Sequence, residues 1–237
     1  MSENLWKIKS LVLVNIFAIV LFVSWLYEPM SSFWYSVDSE AFWAFNNSLA
    51  WGETWQVIWG IANNRAFDVV AAIGIVTPFF YYGYKQKWKL SHTFSILILA
   101  GLVVVSTTSI GKKIPIERES PTRHFESSVK LTELVSFETK DSSGDSFPGD
   151  HGSTLVIFVG FAFFYLSLSY GFFVSFLAIF FAFPRVMVGA HWVSDELVGA
   201  LSIGLIMLSF VFFTPLHIFL LTKIEFLIDF VIKKIKR

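Results

Sequence analysis

The 237-residue chain has no cysteine at all, which excludes disulfides and thiolate metal sites and leaves the compartment open. It is also poor in charge. Only 15% of its residues are Asp, Glu, Lys or Arg, against 55% apolar, and a soluble domain of this length needs more polar surface. The 18 acidic and 18 basic residues cancel, so net charge points to no partner and gives no sign of nucleic-acid binding. Internal repeats and low-complexity tracts are missing too. Apolar runs are plentiful. Several approach the roughly 20 residues of helix that cross a hydrocarbon core of about 30 Å.

These runs predict an all-α integral membrane protein with six transmembrane helices, in one domain over residues 1–237. The spans fall at about Leu11–Leu26, Val69–Tyr84, Thr93–Ile110, Ser153–Tyr170, Gly171–Phe183 and Leu197–Phe213. Gly171 marks the turn between the fourth and fifth. The first run resembles a signal peptide in place only. Trp25, Leu26, Tyr27 and Glu28 follow it where a small-residue cleavage site belongs, so it reads as a helix that stays. Segment 28–68 is rich in Trp, Phe and Asn and suits one or two short amphipathic helices at an interface. The tail 216–237 alternates apolar and charged residues and ends in a basic cluster, as an amphipathic helix on an anionic surface does.

Six spans put both termini on one side. Lys7, Lys9, the loop with Lys85, Lys87 and Lys89, and the basic tail share that side by parity, which the positive-inside rule makes the cytoplasm. Segments 28–68, 111–151 and 184–196 then lie outside.

Polar residues beside membrane spans are costly unless used. "DSFPGDHG" ends in His151 at the start of a helix, whose free N–H groups favour an anion such as phosphate. Taken alone, a His there is as well read as a cap or a solvated residue. "PRVMVGAHWVSD" sets Arg185 six residues before His191, with Asp195 four further on. His and Asp four apart meet on one helical turn. An Asp that accepts from one imidazole nitrogen leaves the other free to attack, and Arg grips phosphate oxygens in a fork. A purely structural Arg–Asp pair is the other reading of this segment. Lys112, Lys113, Arg118 and Arg123 form a cationic group after the third span, against the positive-inside trend.

Together these elements resemble the type 2 phosphatidic acid phosphatase (PAP2) superfamily, whose pattern is Lys-x6-Arg-Pro, Pro-Ser-Gly-His and Ser-Arg-x5-His-x3-Asp. Arg185, His191 and Asp195 match the third element, with Pro184 for its Ser. Pro148 and His151 match the second, with Gly149-Asp150 for Ser-Gly. The first departs most. Ser120 stands where the family has Arg, and Arg118 is the natural substitute for it. The resemblance implies a six-helix bundle with its active site at the periplasmic face. It also implies His191 as nucleophile, Asp195 orienting it and His151 as general acid. Lys113, Arg118 and Arg185 would hold the phosphate, without metal or cofactor. "NNRAFD", "RESPT" and "FAFPRVMVGAHW" are similar to an inner-membrane branch of the family that moves phosphoryl groups between lipids. That implies undecaprenyl diphosphate as donor and the 1-phosphate of lipid A (Kdo2-lipid A) as acceptor. Arg123, His124, Lys130 and Lys140 are candidates for receiving the acceptor. The alternatives are a phosphatase acting on undecaprenyl diphosphate or another lipid phosphate, and a non-catalytic lipid-binding protein, which the change at Ser120 alone favours.

Overall fold

The computed structural model describes residues 6–235, and among these every regular element is helical. The long apolar runs become helices because apolar side chains offer the backbone no partner outside the helix, and two of them run through an internal proline, Pro78 and Pro184. Thr107 in mid-helix bonds back to the Val103 carbonyl at 2.7 Å. In chain order the helices are α1 (Ile8–Leu26), α2 (Met30–Ser48), α3 (Glu53–Ala62), α4 (Arg65–Lys85) and α5 (Leu90–Gly111). Then follow the single turn α6 (Pro121–His124), α7 (Asp150–Tyr165), α8 (Leu168–Met187), α9 (Leu201–Phe212) and α10 (Leu216–Ile235). A π-type stretch, Asp195–Ala200, runs directly into α9, so the two form one span.

Among the described residues, five helical stretches are long and apolar enough to cross a membrane: α1, α4, α5, α8 and Asp195–Phe212. The fourth expected span, α7, has only 16 residues, about 24 Å at 1.5 Å per residue. The turn after it lies at Leu166–Ser167, not at Gly171. Ser167 caps α8 by accepting from the Tyr170 amide, while Gly171 sits inside α8 where the Phe163 ring packs against it. α8 also runs past Pro184 to Met187.

The core lies between α4, α5, α7, α8 and α9, around Phe79, Ile96, Leu99, Ile157 and Phe161. The outer faces carry large exposed apolar residues, among them Phe17 and Val20 on α1, Val69 and Ile73 on α4, and Phe172 and Phe176 on α8. That belt would be untenable in water and is the expected face toward hydrocarbon. α1 packs on α9 and α2, with Asn15 donating to Ser209 Oγ at 2.8 Å.

Segment 28–68 is more structured than expected. α2 is 19 residues long, packs on α1 and α8, and buries Asp38, Phe42 and Asn46. Asn46 pins the loop after α6 by pairing with both backbone groups of Val129, at 2.7 and 3.0 Å. The N-terminal ends of α4, α7 and Asp195–Phe212 and the C-terminal ends of α5 and α8 fall at one end of the bundle. Lys85, Lys87 and Lys89 join α4 to α5 at the other.

Candidate active site

His191 is placed by the way α8 stops. Gly189 takes φ +79°, the left-handed region open to glycine, and the chain reverses so that the Ala190 and His191 amides both reach the Arg185 carbonyl. The imidazole is turned inward and is 4% exposed. Its Nδ1 lies 2.9 Å from the Ser146 carbonyl oxygen. A carbonyl only accepts, so Nδ1 carries the proton and Nε2 the lone pair. Nε2 is buried and has no hydrogen-bond partner, the arrangement of an available nucleophile.

The sequence reading gave Asp195 the task of fixing this tautomer. In the structure Asp195 Oδ2 is 3.5 Å from Nδ1, farther than the Ser146 oxygen. Asp195 is engaged elsewhere: Oδ2 accepts from the Trp192 amide at 2.8 Å and Oδ1 from Arg118 at 2.6 Å. Burial disfavours the imidazolium, but the carboxylates of Asp195, Glu196 and Asp150 outweigh it and raise the His191 pKa above its ordinary value.

Arg118, expected at the phosphate, stands behind Asp195. Its Nη1 donates to Asp195 Oδ1 and to Ser194 Oγ (2.8 Å), and its Nη2 donates to Asp38 Oδ2 at 2.7 Å. The guanidinium is sandwiched between Trp192 and Trp25, 4.6 and 5.1 Å from their ring centres. Asp38, which sequence reasoning missed, completes the brace. It accepts from the Ser194 amide at 2.8 Å and from its hydroxyl at 2.5 Å. Burial pushes the Asp38 carboxyl pKa up, against the pull of Arg118.

A second group surrounds Arg185, which is 3% exposed. Its Nη1 donates to the Asn63 side-chain and main-chain oxygens at 2.7 and 3.1 Å. Its Nη2 reaches both Asp68 oxygens, at 2.9 and 3.1 Å, and lies 3.1 Å from His151 Nε2. His151 Nε2 is also 3.2 Å from Asp68, and Nδ1 is 2.8 Å from Asp150 Oδ1. The same Asp150 oxygen is 3.9 Å from His191 Nε2, so it lies between the two histidines. Asn63 and Asp68 sit in the "NNRAFD" segment singled out above, but no chemistry was assigned to them.

Two cavities meet here. One, of about 270 Å³, is lined by His191, Asp150, Lys112 and Lys140. The other, of about 430 Å³, is walled by Ala71, Ile75, Val104, Leu155 and Phe158 and capped by Asp68, His151, Arg185 and Lys112. Thr108, Lys112 and Asp150 line both. Lys113, the expected phosphate ligand, is exposed and lines neither; its neighbour Lys112 lines both, since one residue at the end of a helix changes the face by about 100°. Arg123 pairs with Glu119 at 3.6 Å and His124 packs on Trp192, both away from these cavities. Among the described residues no group of three or more His, Asp or Glu is arranged to hold a metal ion.

A deep apolar slot under a cationic, histidine-bearing head fits a lipid phosphate. Comparison with known proteins agrees with that chemistry. The PAP2 superfamily model matches residues 88–218. Lipid A 1-diphosphate synthase of Escherichia coli (strain K12) is 36% identical over 223 residues, which cover 91% of this chain and 92% of that protein. The crystal structure of a transmembrane PAP2-type phosphatidylglycerolphosphate phosphatase from Bacillus subtilis superposes with a TM-score of 0.50 at 16% identity, over 86% of this chain and 94% of that one, a likeness of fold. The family match over more than half of the chain and the near end-to-end relative place this multi-pass membrane enzyme in the PAP2 superfamily of lipid phosphatases and phosphotransferases.

Proposed function

We propose that the chain transfers the distal phosphoryl group of undecaprenyl diphosphate to the 1-phosphate of lipid A, giving undecaprenyl phosphate and lipid A 1-diphosphate. The observation that carries the reading is the unpartnered, buried Nε2 of His191 beside an apolar cavity with a cationic head. The 36% identical relative, named for lipid A 1-diphosphate, supports the choice of acceptor, and the polyprenyl donor follows from the motif resemblance.

In the first step His191 Nε2 attacks the distal phosphorus. A P–N bond forms, the P–O bond to the bridging oxygen breaks, and the departing polyprenyl phosphate takes a proton from His151 Nε2. The Ser146 carbonyl holds Nδ1–H and so keeps the lone pair on the attacking atom. Arg185 and Lys112 neutralise the equatorial oxygens, where phosphoryl transfer concentrates its charge. Asp150 Oδ1 lies between the two histidines, 2.8 Å from His151 Nδ1 and 3.9 Å from His191 Nε2. In the second step an oxygen of the acceptor phosphate attacks the phosphohistidine. The P–N electron pair returns to Nε2, and His151 recovers its proton from the acceptor or from solvent.

In this reading the site faces the periplasm of the inner membrane, opposite the Lys85–Lys89 loop, with both termini in the cytoplasm. The apolar cavity takes the first isoprene units of the donor.

The second reading is a phosphatase of the same family, favoured by the 30% exposure of the His151 side chain, which leaves water a path to the head of the site. Donor labelled on its distal phosphate, given to purified protein with and without lipid A, separates the two. Label on lipid A, abolished by His191→Ala, is the expected result. Label released only as free phosphate overturns the transferase.

A further inference from the structure

A third cavity, of about 510 Å³, opens beside the site and plays no part in the donor step. It is polar. Arg65, Lys130, Lys140, Glu133 and Glu138 line it, with Asn63 at its inner wall. Its walls are the first turn of α4 and the 130–142 stretch, outside the spans, so apolar chains have no place in it.

Two residues tie it to the chemistry. Lys140 lines this cavity and also the one containing His191. Asn63 lines it and accepts from the buried Arg185 through its side-chain oxygen, while its amide nitrogen donates to the Lys140 carbonyl. A molecule seated there touches the residue that holds Arg185 and lies one lysine away from His191. The apolar cavity reaches the same place from between α4, α5, α7 and α8. Two routes thus converge on the histidines, one apolar and one polar.

The lining selects the occupant. Three cations stand among three carboxylates, Glu133, Glu138 and Asp141, none of them paired with a cation of the cavity wall; Asp141 accepts from Thr132 instead. Cations pair with phosphate oxygens, and carboxylates accept from hydroxyl groups. A bare phosphate calls for cations alone, and an acyl chain for neither. The volume is in the range of small-ligand sites. We infer that this cavity is the acceptor subsite and takes the phosphorylated saccharide headgroup of a glycolipid, whose acyl chains remain in the membrane. The inference rests on the transferase reading and adds where the acceptor binds and by which residues.

The test uses the full chain in detergent, donor labelled on its distal phosphate, and two acceptors: lipid A, and phosphatidic acid, which carries phosphate but no sugar. The Arg65→Ala/Lys130→Ala double variant is expected to raise the lipid A concentration for half-maximal transfer at least about tenfold, the effect of one lost charged contact. Labelling of His191 in a single turnover without acceptor keeps its wild-type rate, which also reports that the variant is folded. Glu138→Gln is expected to weaken use of lipid A and leave transfer to phosphatidic acid unchanged. Half-saturation by lipid A that moves in neither variant overturns the subsite while the transferase stands. Loss of His191 labelling in the double variant assigns those residues to the donor step and overturns it as well. Wild-type protein that labels no lipid A overturns the transferase and the subsite with it.

Discussion

The Ser146 carbonyl and the Asp195 carboxylate both approach Nδ1 of His191, at 2.9 and 3.5 Å. On the proposed mechanism the carbonyl fixes the tautomer and the carboxylate stabilises the positive charge that builds on the ring during attack. Attack needs the neutral imidazole, so the donor step slows as pH falls through the raised His191 pKa. Asp195 is the strongest influence raising it. Asp195→Asn is therefore expected to lower turnover and to move the acid limb of the kcat/KM profile to lower pH; a limb that stays put contradicts this account. The same shift contributes folding stability that is complete below the unfolded value of about 6.5 and is lost as pH rises through the higher folded value. Asp38 acts one shell further out, as a positioning residue. Asp38→Asn leaves a donor facing Arg118 or Ser194 unpaired, at a cost of about 1–3 kcal/mol. Thermal unfolding in detergent should register that loss, and kinetics should show a lower kcat with donor KM little changed. A KM effect alone would place Asp38 in substrate binding instead. Why Asp38 escaped sequence reasoning is plain. It is a lone acid in an aromatic stretch, and only tertiary packing reveals that α2 brings it to Arg118. His151, Arg185 and His191 stood out because each lies in a short polar motif beside an apolar run, but the partners of Arg185, Asn63 and Asp68, are more than a hundred positions away and had no such signal. Arg118 was legible as a site residue but not as a brace, since spacing cannot distinguish a guanidinium that faces phosphate from one that faces a carboxylate.

At the scale of elements, the contact between the start of α7 and the Asp195–Ala200 stretch decides the site's shape. π-type turns are rare and cluster at functional sites. This one presses the Glu196 carboxylate against the faces of Gly149 and Gly152, and neither of its oxygens has a hydrogen-bond partner. A side chain at residue 152 would overlap that carboxylate. Gly152→Ala gains about 1 kcal/mol in helix propensity, while overpacking a tight site costs about 1–3 kcal/mol. The overlap here is severe, so a net loss is expected in thermal unfolding. Glu196→Ala in the same chain should recover most of it, and simple additivity of the two changes would mean that they do not meet. The "PGDHG" segment reads as a turn leading into a helix from sequence, and so it is. What no local signal announces is the wide turn opposite, which explains both glycines. Hydropathy located α1, α4, α5 and α9 to within a few residues, because those runs are long and bounded by charge or, after α9, by Pro215. It misplaced the α7–α8 turn, where a capping serine outweighs a glycine that serves packing.

For the molecule as a whole, the distribution of lysines and the lack of cysteine make sidedness directly measurable. Gln86 lies in the α4–α5 turn and Glu126 in the loop at the site end, both exposed. With no native thiol to interfere, Glu126→Cys is expected to react with a membrane-impermeant maleimide on cells whose outer membrane alone is permeabilised. Gln86→Cys should react only after the inner membrane is opened. The reverse pattern would invert the proposed orientation. Fold class and the grouping of polar segments at one end were legible from hydropathy and parity. The cavities were not, because they are made by residues from five helices and two loops whose mutual placement has no signature along the chain.

The link between Asn15 of α1 and Ser209 of α9 bears on how the molecule is made. The two residues are 194 positions apart. During synthesis α1 enters the membrane first, and its partner helix emerges only after about 10–40 s at typical elongation rates of roughly 5–20 residues per second. Through that interval the Asn15 amide has the Leu11 carbonyl of its own helix, 2.7 Å away, as a partner already at hand. Arg118 is made within that interval, but Ser194 and Asp195, to which it donates, arrive only with the last span. The catalytic end therefore closes late, when the last span docks against the first, and a chain stalled before α9 is a set of inserted helices without an assembled site.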